Sequence, residues 1–331
     1  SSTSGGCTFY PEIGETICGQ DYSSYSEREF HKTGVGPIGY RFSSSALFQG
    51  GGFISTHNIL RTIELVKSSK VADDGTYFAG SPWQPLPDLG LAPYFPNAGA
   101  YNGLVLAFGG TWAASPLPWV KSLNPIVGAW TAAVPLVAQV SVVLGVSGGQ
   151  LYGLGRIGSS AATSLLRFDA ATSNWLGLRV STPAFSNLCG GAALSNGDLA
   201  ALDCPGLGPM TMYIYSAATG SWRLGVSYGS TILRPAVAAV GTDVYVMGGY
   251  LSNTLFSNGI TATVRRFRSQ TNVWENLAVQ MRTPRDDAVA AAVGSKVYVM
   301  GGWGRTIDVP KGRVVEIFDA SSAAWSVGPT M

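Results

Sequence analysis

Histidine is nearly missing from this chain. Only His31 and His57 occur among 331 residues. A zinc site takes three or four His, Cys, Asp or Glu ligands, and the spacing of the four cysteines fits no zinc pattern. A Ser–His base pair has equally little to draw on. No catalytic residue, metal or cofactor is assigned, and an enzyme is the less favoured class. Charge is sparse as well, at 12% of residues, about half the usual share. From Leu89 to Gly155 the only charge is Lys121. Such a surface is either covered by partners or solvated by the abundant Ser, Thr, Asn and Gln.

Other absences narrow the field further. The net charge is +2 and no basic stripe stands out, which argues against a nucleic-acid partner. The densest cationic group is Arg265, Arg266 and Arg268, and strand alternation splits it between two faces. No membrane span is expected. Residues 131–149 are uncharged, but Pro135, Gln139 and Ser141 interrupt them. No Asn-x-Ser/Thr sequence occurs, so ordinary N-glycosylation is not expected. Asp73-Asp74 reads as a turn, because calcium asks for six or more oxygen ligands.

Four cysteines allow three pairings. The local pairs Cys7–Cys18 and Cys189–Cys204 are expected, the second joining adjacent antiparallel strands. Each closes a short loop and would contribute about 3 kcal/mol. Two disulfides imply an oxidising compartment, hence an extracellular or secretory location.

What the chain does have is a beat. Trp83, Trp130, Trp175, Trp222, Trp274 and Trp325 stand 47, 45, 47, 52 and 51 residues apart. A fixed period of this length means one supersecondary unit packed against its copies. The last two units are clearest. Residues 236–250 read AVAAVGTDVYVMGGY and 288–304 read AVAAAVGSKVYVMGGWG. Each is an apolar strand, a turn, a second strand and a double glycine. A third strand with an aromatic residue follows, then a turn, then the tryptophan. Phe168, Tyr215, Phe267 and Phe318 each lie seven residues before a tryptophan, which predicts a hairpin of constant length. Gly109-Gly110, Gly248-Gly249 and Gly301-Gly302, with Gly51-Gly52 in the first unit, would let a neighbouring sheet come close. Gly153-Leu154-Gly155 and Asp203-Cys204 replace the pair in two units.

This pattern resembles the kelch repeat over roughly residues 35–331. The resemblance implies an all-β fold, a six-bladed kelch-type β-propeller of four-stranded antiparallel blades around a channel. Trp83 follows its glycine pair late, so the first unit carries an inserted loop around residues 67–80. Residues 1–34 are expected to form a disulfide-stapled extension packing on the propeller beside its last blade. Copper radical oxidases of similar build need two His and two Tyr as ligands, and no His follows His57 here. Nothing matches the site of a sialic-acid mutarotase.

The residues after the glycine pairs are the candidate binding set. Phe53, Trp112, Tyr250 and Trp303 open the loops between second and third strands, with Trp119 in the same loop as Trp112 and with Arg156 and Arg305 nearby. Rings gathered on one propeller face would stack on sugars or grip a peptide. Asp286-Asp287 is expected to pair with Arg285 or Arg234. The favoured function is a non-enzymatic extracellular binding or assembly module. Its partners would be other protein chains in a fibre, sheath or cell-surface complex. Glycan binding is the alternative, and a sugar-modifying enzyme the lesser one.

Overall fold

The computed structural model describes the backbone at 7–10, 15–18 and 31–32, residues 87–89, and most of 97–329. Within the last span, 110, 113–114, 117–118, 159, 161, 207, 231, 252–258 and 304–313 are outside the described residues. The chain divides into two units, Ser1–Tyr94 and Phe95–Met331.

The first unit contains a three-stranded antiparallel sheet of Cys7–Tyr10, Glu15–Cys18 and His31–Lys32. Its register sets Cys7 opposite Cys18. The first of the six expected repeats, the one ending near Trp83, lies outside the described residues. So do Gly51-Gly52, Phe53, His57 and Asp73-Asp74, and with them any contact of residues 1–34 with a blade.

The second unit is a β-propeller of antiparallel blades, five among the described residues. Blade I has strands Asn97–Tyr101, Leu104–Phe108 and Trp119–Asn124, the last flanked by Ala129–Trp130 and Val134–Pro135. Blade II runs Ala138–Ser147, Gln150–Ile157, Ser164–Asp169 and Asn174–Gly177. Blade III runs Leu188–Ala193, Leu199–Asp203, Met210–Ser216 and Ser221–Tyr228. Blade IV runs Ala236–Val240, Asp243–Met247, Val264–Arg268 and Val273–Asn276. Blade V runs Asp286–Val293, Lys296–Trp303, Val315–Asp319 and Ala324–Val327. The first strand of each blade lies beside the first strand of the next, in chain order. Small residues such as Ala236, Ala238 and Ala288 allow that close approach.

The seven-residue interval has a structural meaning. Phe168, Tyr215, Phe267 and Phe318 lie directly across the hairpin from Trp175, Trp222, Trp274 and Trp325. Their ring centroids are 5.3, 5.5, 5.1 and 5.2 Å apart, within the range for favourable aromatic pairs. These rings feed apolar layers between successive blades. Phe108 of blade I packs on Trp175 of blade II, and Tyr245 of blade IV on Phe318 of blade V.

Outer strands are also tied laterally. Val226, on the rim of blade III, donates its N–H to Asn272 Oδ1 at 3.1 Å. Its carbonyl accepts Trp274 Nε1–H at 2.7 Å. Both partners belong to blade IV.

Candidate functional site: one rim of the propeller

In a meander blade, one end carries the loops between second and third strands and the linkers to the next blade. That end is called here the upper rim. Its base is set by the double glycines. Gly248 and Gly249 have φ of +65° and +89°, which side chains rarely adopt. A Cβ on Gly248 would stand 2.3 Å from the Arg285 carbonyl oxygen, and one on Gly249 would stand 2.5 Å from Ile232. The Gly249 N–H instead donates to that Arg285 carbonyl at 2.9 Å. The pair therefore lets the linkers on both sides of blade IV close over it.

Charged groups fix the same place from within. Arg285 is 1% exposed and Glu316 is 1% exposed. Arg285 Nη2 donates to Glu316 Oε1 at 2.6 Å, while Nη1 donates to the carbonyls of Gly301 and Val314, both at 3.0 Å. Burial pushes the Arg285 guanidinium below the usual arginine range, and Glu316 opposes that shift. The carboxylate of Glu316 also accepts the backbone N–H groups of Arg282 and Thr283 at 2.7 and 3.1 Å. One acid thus holds the linker and neutralises the arginine.

A second cluster lies between blades IV and V. Arg234 forms ion pairs with Asp286 and, at 2.8 Å, with Asp287. Arg234 and Asp287 both have positive φ, +53° and +52°. The Asp287 N–H donates to the Arg234 carbonyl at 3.0 Å. The Arg234 guanidinium stands 6.0 Å from the Tyr250 ring centroid. Of the two arginines expected to meet Asp286-Asp287, Arg234 does so. Arg285 turns to Glu316, 31 residues on, because adjacent backbone positions face opposite ways.

Arg265 stands in blade IV where Glu316 stands in blade V, two residues before the aromatic ring. It is 3% exposed. Its Nη1 reaches the carbonyls of Gly248 and Thr263 only at 3.4 Å, and its Nε has no hydrogen-bond partner. The guanidinium lies 5.5 Å from the Tyr228 ring centroid. Burial again pushes it below the usual arginine range, with Tyr228 opposing.

Blade III, which lacks the glycine pair, solves the same problem differently. Cys204 is disulfide-bonded to Cys189, with Cα atoms 5.8 Å apart. The Asp203 carboxylate accepts the N–H groups of Ser186 and Asn187 at 3.0 and 2.6 Å. Asn187 Nδ2 donates to the Cys204 carbonyl at 3.0 Å. An acid and a cross-link hold the linker where two glycines do elsewhere.

Comparison with known proteins identifies the repeat. A family model described as the Kelch motif matches residues 233–278 and 284–331. Blades IV and V are therefore kelch repeats. An F-box/kelch-repeat protein of Arabidopsis thaliana is 31% identical over 101 residues, which are 30% of this chain and 22% of that protein. Kelch-like protein 25 of Xenopus laevis is 32% identical over 91 residues, 28% of this chain and 14% of that protein. The chain thus spans less than a quarter of the length of these relatives. The matched residues take in blades IV and V, which carry the pairs Gly248-Gly249 and Gly301-Gly302.

Within this kelch frame the predicted binding residues scatter. Tyr250 is half-buried beneath Arg234. Arg156 is exposed at the upper end of its strand in blade II. Trp112 lies in a short hairpin, Thr111–Trp112 with Ser115–Pro116, and Trp303 ends the second strand of blade V. The side chains of these two, and all of Phe53 and Arg305, lie outside the described residues. Trp119 is a correction. It opens the third strand of blade I and is 7% exposed, so it belongs to the blade interior and offers no stacking platform. The signal was available: Leu123 is seven residues before Trp130 and directly opposite it, which puts Trp119 in the strand.

Gly145-Val146-Ser147-Gly148-Gly149 has the Gly-x-Ser-x-Gly spacing of a hydrolase elbow. It sits at a hairpin between two strands, without the strand-to-helix turn that the motif needs. Ser147 Oγ donates to the Gly197 carbonyl at 2.6 Å, which ties blade II to blade III.

Proposed function

We propose that this kelch propeller is a protein-interaction module that presents its upper rim to a partner. The observation that carries the reading is the way the rim is built. Glycine pairs, the Arg285–Glu316 pair and the Asp203 cap hold the loop bases, and exposed residues stand above them. A rigid base under variable loops is the arrangement that binding scaffolds use. The kelch relatives support the reading at the level of the repeat. The sparse charge of residues 89–155 supports a broad protein contact, in keeping with a fibre, sheath or cell-surface complex. The Cys189–Cys204 bond supports an oxidising location.

A photocrosslinking amino acid placed at Ser160 on the upper rim, and separately at Ala171 on the lower, tests the module. In extracts and secretions of the native source, a discrete partner should be trapped from Ser160 and not from Ala171. Trapping from neither position, or equally from both, overturns the reading. Location is tested by alkylating the protein before lysis. Peptides of Cys189 and Cys204 should remain linked; both arriving alkylated would count against an extracellular role.

A glycan reading has one observation in its favour. A cavity of about 300 Å³ is lined by Ser181, Thr182, Pro183, Gly220, Ser221 and Trp222. Hydroxyls beside an indole suit a neutral sugar. Binding on a glycan array that disappears in Trp222→Leu supports it, and a blank array removes it.

A further inference from the structure

The two ends of the described blades treat carboxylates differently. On the lower end Asp169, Asp198 and Asp319 sit at exposed turns. On the upper end every described carboxylate is turned inward. Asp203 is 4% exposed and accepts two backbone N–H groups. Glu316 is spent on Arg285 and its linker. Asp286 and Asp287 have side-chain exposures of 0% and 7% and both meet Arg234.

Three upper-end arginines are the opposite case. Arg156, Arg179 and Arg282 are exposed. Arg156 is next to last in the second strand of blade II, Arg179 is the second residue of the linker from blade II to blade III, and Arg282 lies in the linker from blade IV to blade V. No carboxylate among the described residues pairs with any of the three side chains. Arg156 and Arg179 flank one strand: Gly155 is opposite Ser164, and the Leu178 N–H donates to the Leu165 carbonyl. Two strand spacings separate such neighbours by about 10 Å. Residues three apart on an extended peptide are also about 10 Å apart.

We propose that the upper rim takes an acidic, extended segment of a partner protein, with Arg156, Arg179 and Arg282 as its cationic contacts. The inference rests on the module reading above and names the chemistry of the partner. Guanidinium groups bind carboxylates through paired N–H donors. With Asp203, Asp286, Asp287 and Glu316 turned inward, an incoming acid competes with none of these four. Nucleic acid is the less suited polyanion, because three separated cations make no continuous track for a phosphate backbone.

The probe is a fluorescent twelve-residue peptide with Glu at every third position and Ser or Gly between. Anisotropy should show binding at low salt that weakens as salt rises, since the contacts are exposed and screened. The triple variant R156Q/R179Q/R282Q, shown folded by its melting curve, should bind about tenfold more weakly. K296Q on the lower end should bind as the wild type does. No binding of the peptide, undiminished binding by the triple variant, or tighter binding of a single-stranded oligonucleotide overturns the proposal. A partner crosslinked from Ser160 whose capture ignores the triple substitution would sink the acidic preference and leave the module reading standing.

Discussion

Blades IV and V contain the same four letters in their second strands, Val-Tyr-Val-Met at 244–247 and at 297–300. In blade IV all four are buried, with Tyr245 at 3% and Met247 at 0% exposure. In blade V, Val297 and Val299 are buried, while Tyr298 and Met300 are only half-buried. The first strands differ in the same way. Val237 and Ala239 pack into a core, whereas Val289, Ala291 and Val293 are exposed. One face of blade V packs on blade IV, and its other face has no described blade against it. Burial in this fold is therefore a property of the neighbour and not of the strand.

That contrast can be attacked by substitution. The largest effect is expected at Glu316. Glu316→Leu leaves Arg285 buried without its partner and should cost about 4 kcal/mol in urea unfolding. The double variant with Arg285→Met should recover only part of it, because it removes the unpaired charge but leaves the N–H groups of Arg282 and Thr283 without their acceptor. Next comes the repeated tyrosine. Tyr245→Ala should cost about 3 kcal/mol, and Tyr298→Ala less than half of that. Equal losses would mean that the second face of blade V is covered too.

Arg265 should respond with the opposite sign. Its charge is buried with long, incomplete hydrogen bonds, so Arg265→Met should be neutral or stabilising by about 1 kcal/mol. A loss above about 2 kcal/mol would show that the cation over Tyr228 contributes more than its burial costs. The smallest effect is acid sensitivity. Lys296, followed by Ser321, holds Asp319 well below the usual carboxylate range. Arg266, followed by Arg268, lowers Glu275. Depressed carboxylates stabilise above their unfolded values and lose that contribution as pH falls through about 4 and below. Both pairs are exposed, so Asp319→Asn should only slightly flatten the acid limb of a pH–stability curve.

The architecture was legible because it is periodic. A ring seven residues before each tryptophan is a statement about hairpin length, and the register confirms it at four blades. The glycine pair was legible because only glycine tolerates both positive φ and a carbonyl at the Cβ position. Trp119 was misplaced because blade I has Leu123 where the other blades have an aromatic ring. The Arg285–Glu316 pair was invisible because nothing local marks it. Glu316 occupies a strand position taken by Arg265 and Tyr213 in blades IV and III, so its identity makes sense only beside the linker it captures. Local pattern reports which way a residue faces, but long-range pairing needs the sheet.

Val226 has a consequence for solubility. An outermost strand with bare amides and apolar neighbours invites another chain to add to the sheet and begin a fibril. Leu224 and Val226 are 63% and 51% exposed, which would make that strand sticky. Because Asn272 and Trp274 occupy both backbone groups of Val226, a foreign strand finds the register blocked at the residue where it would zip on.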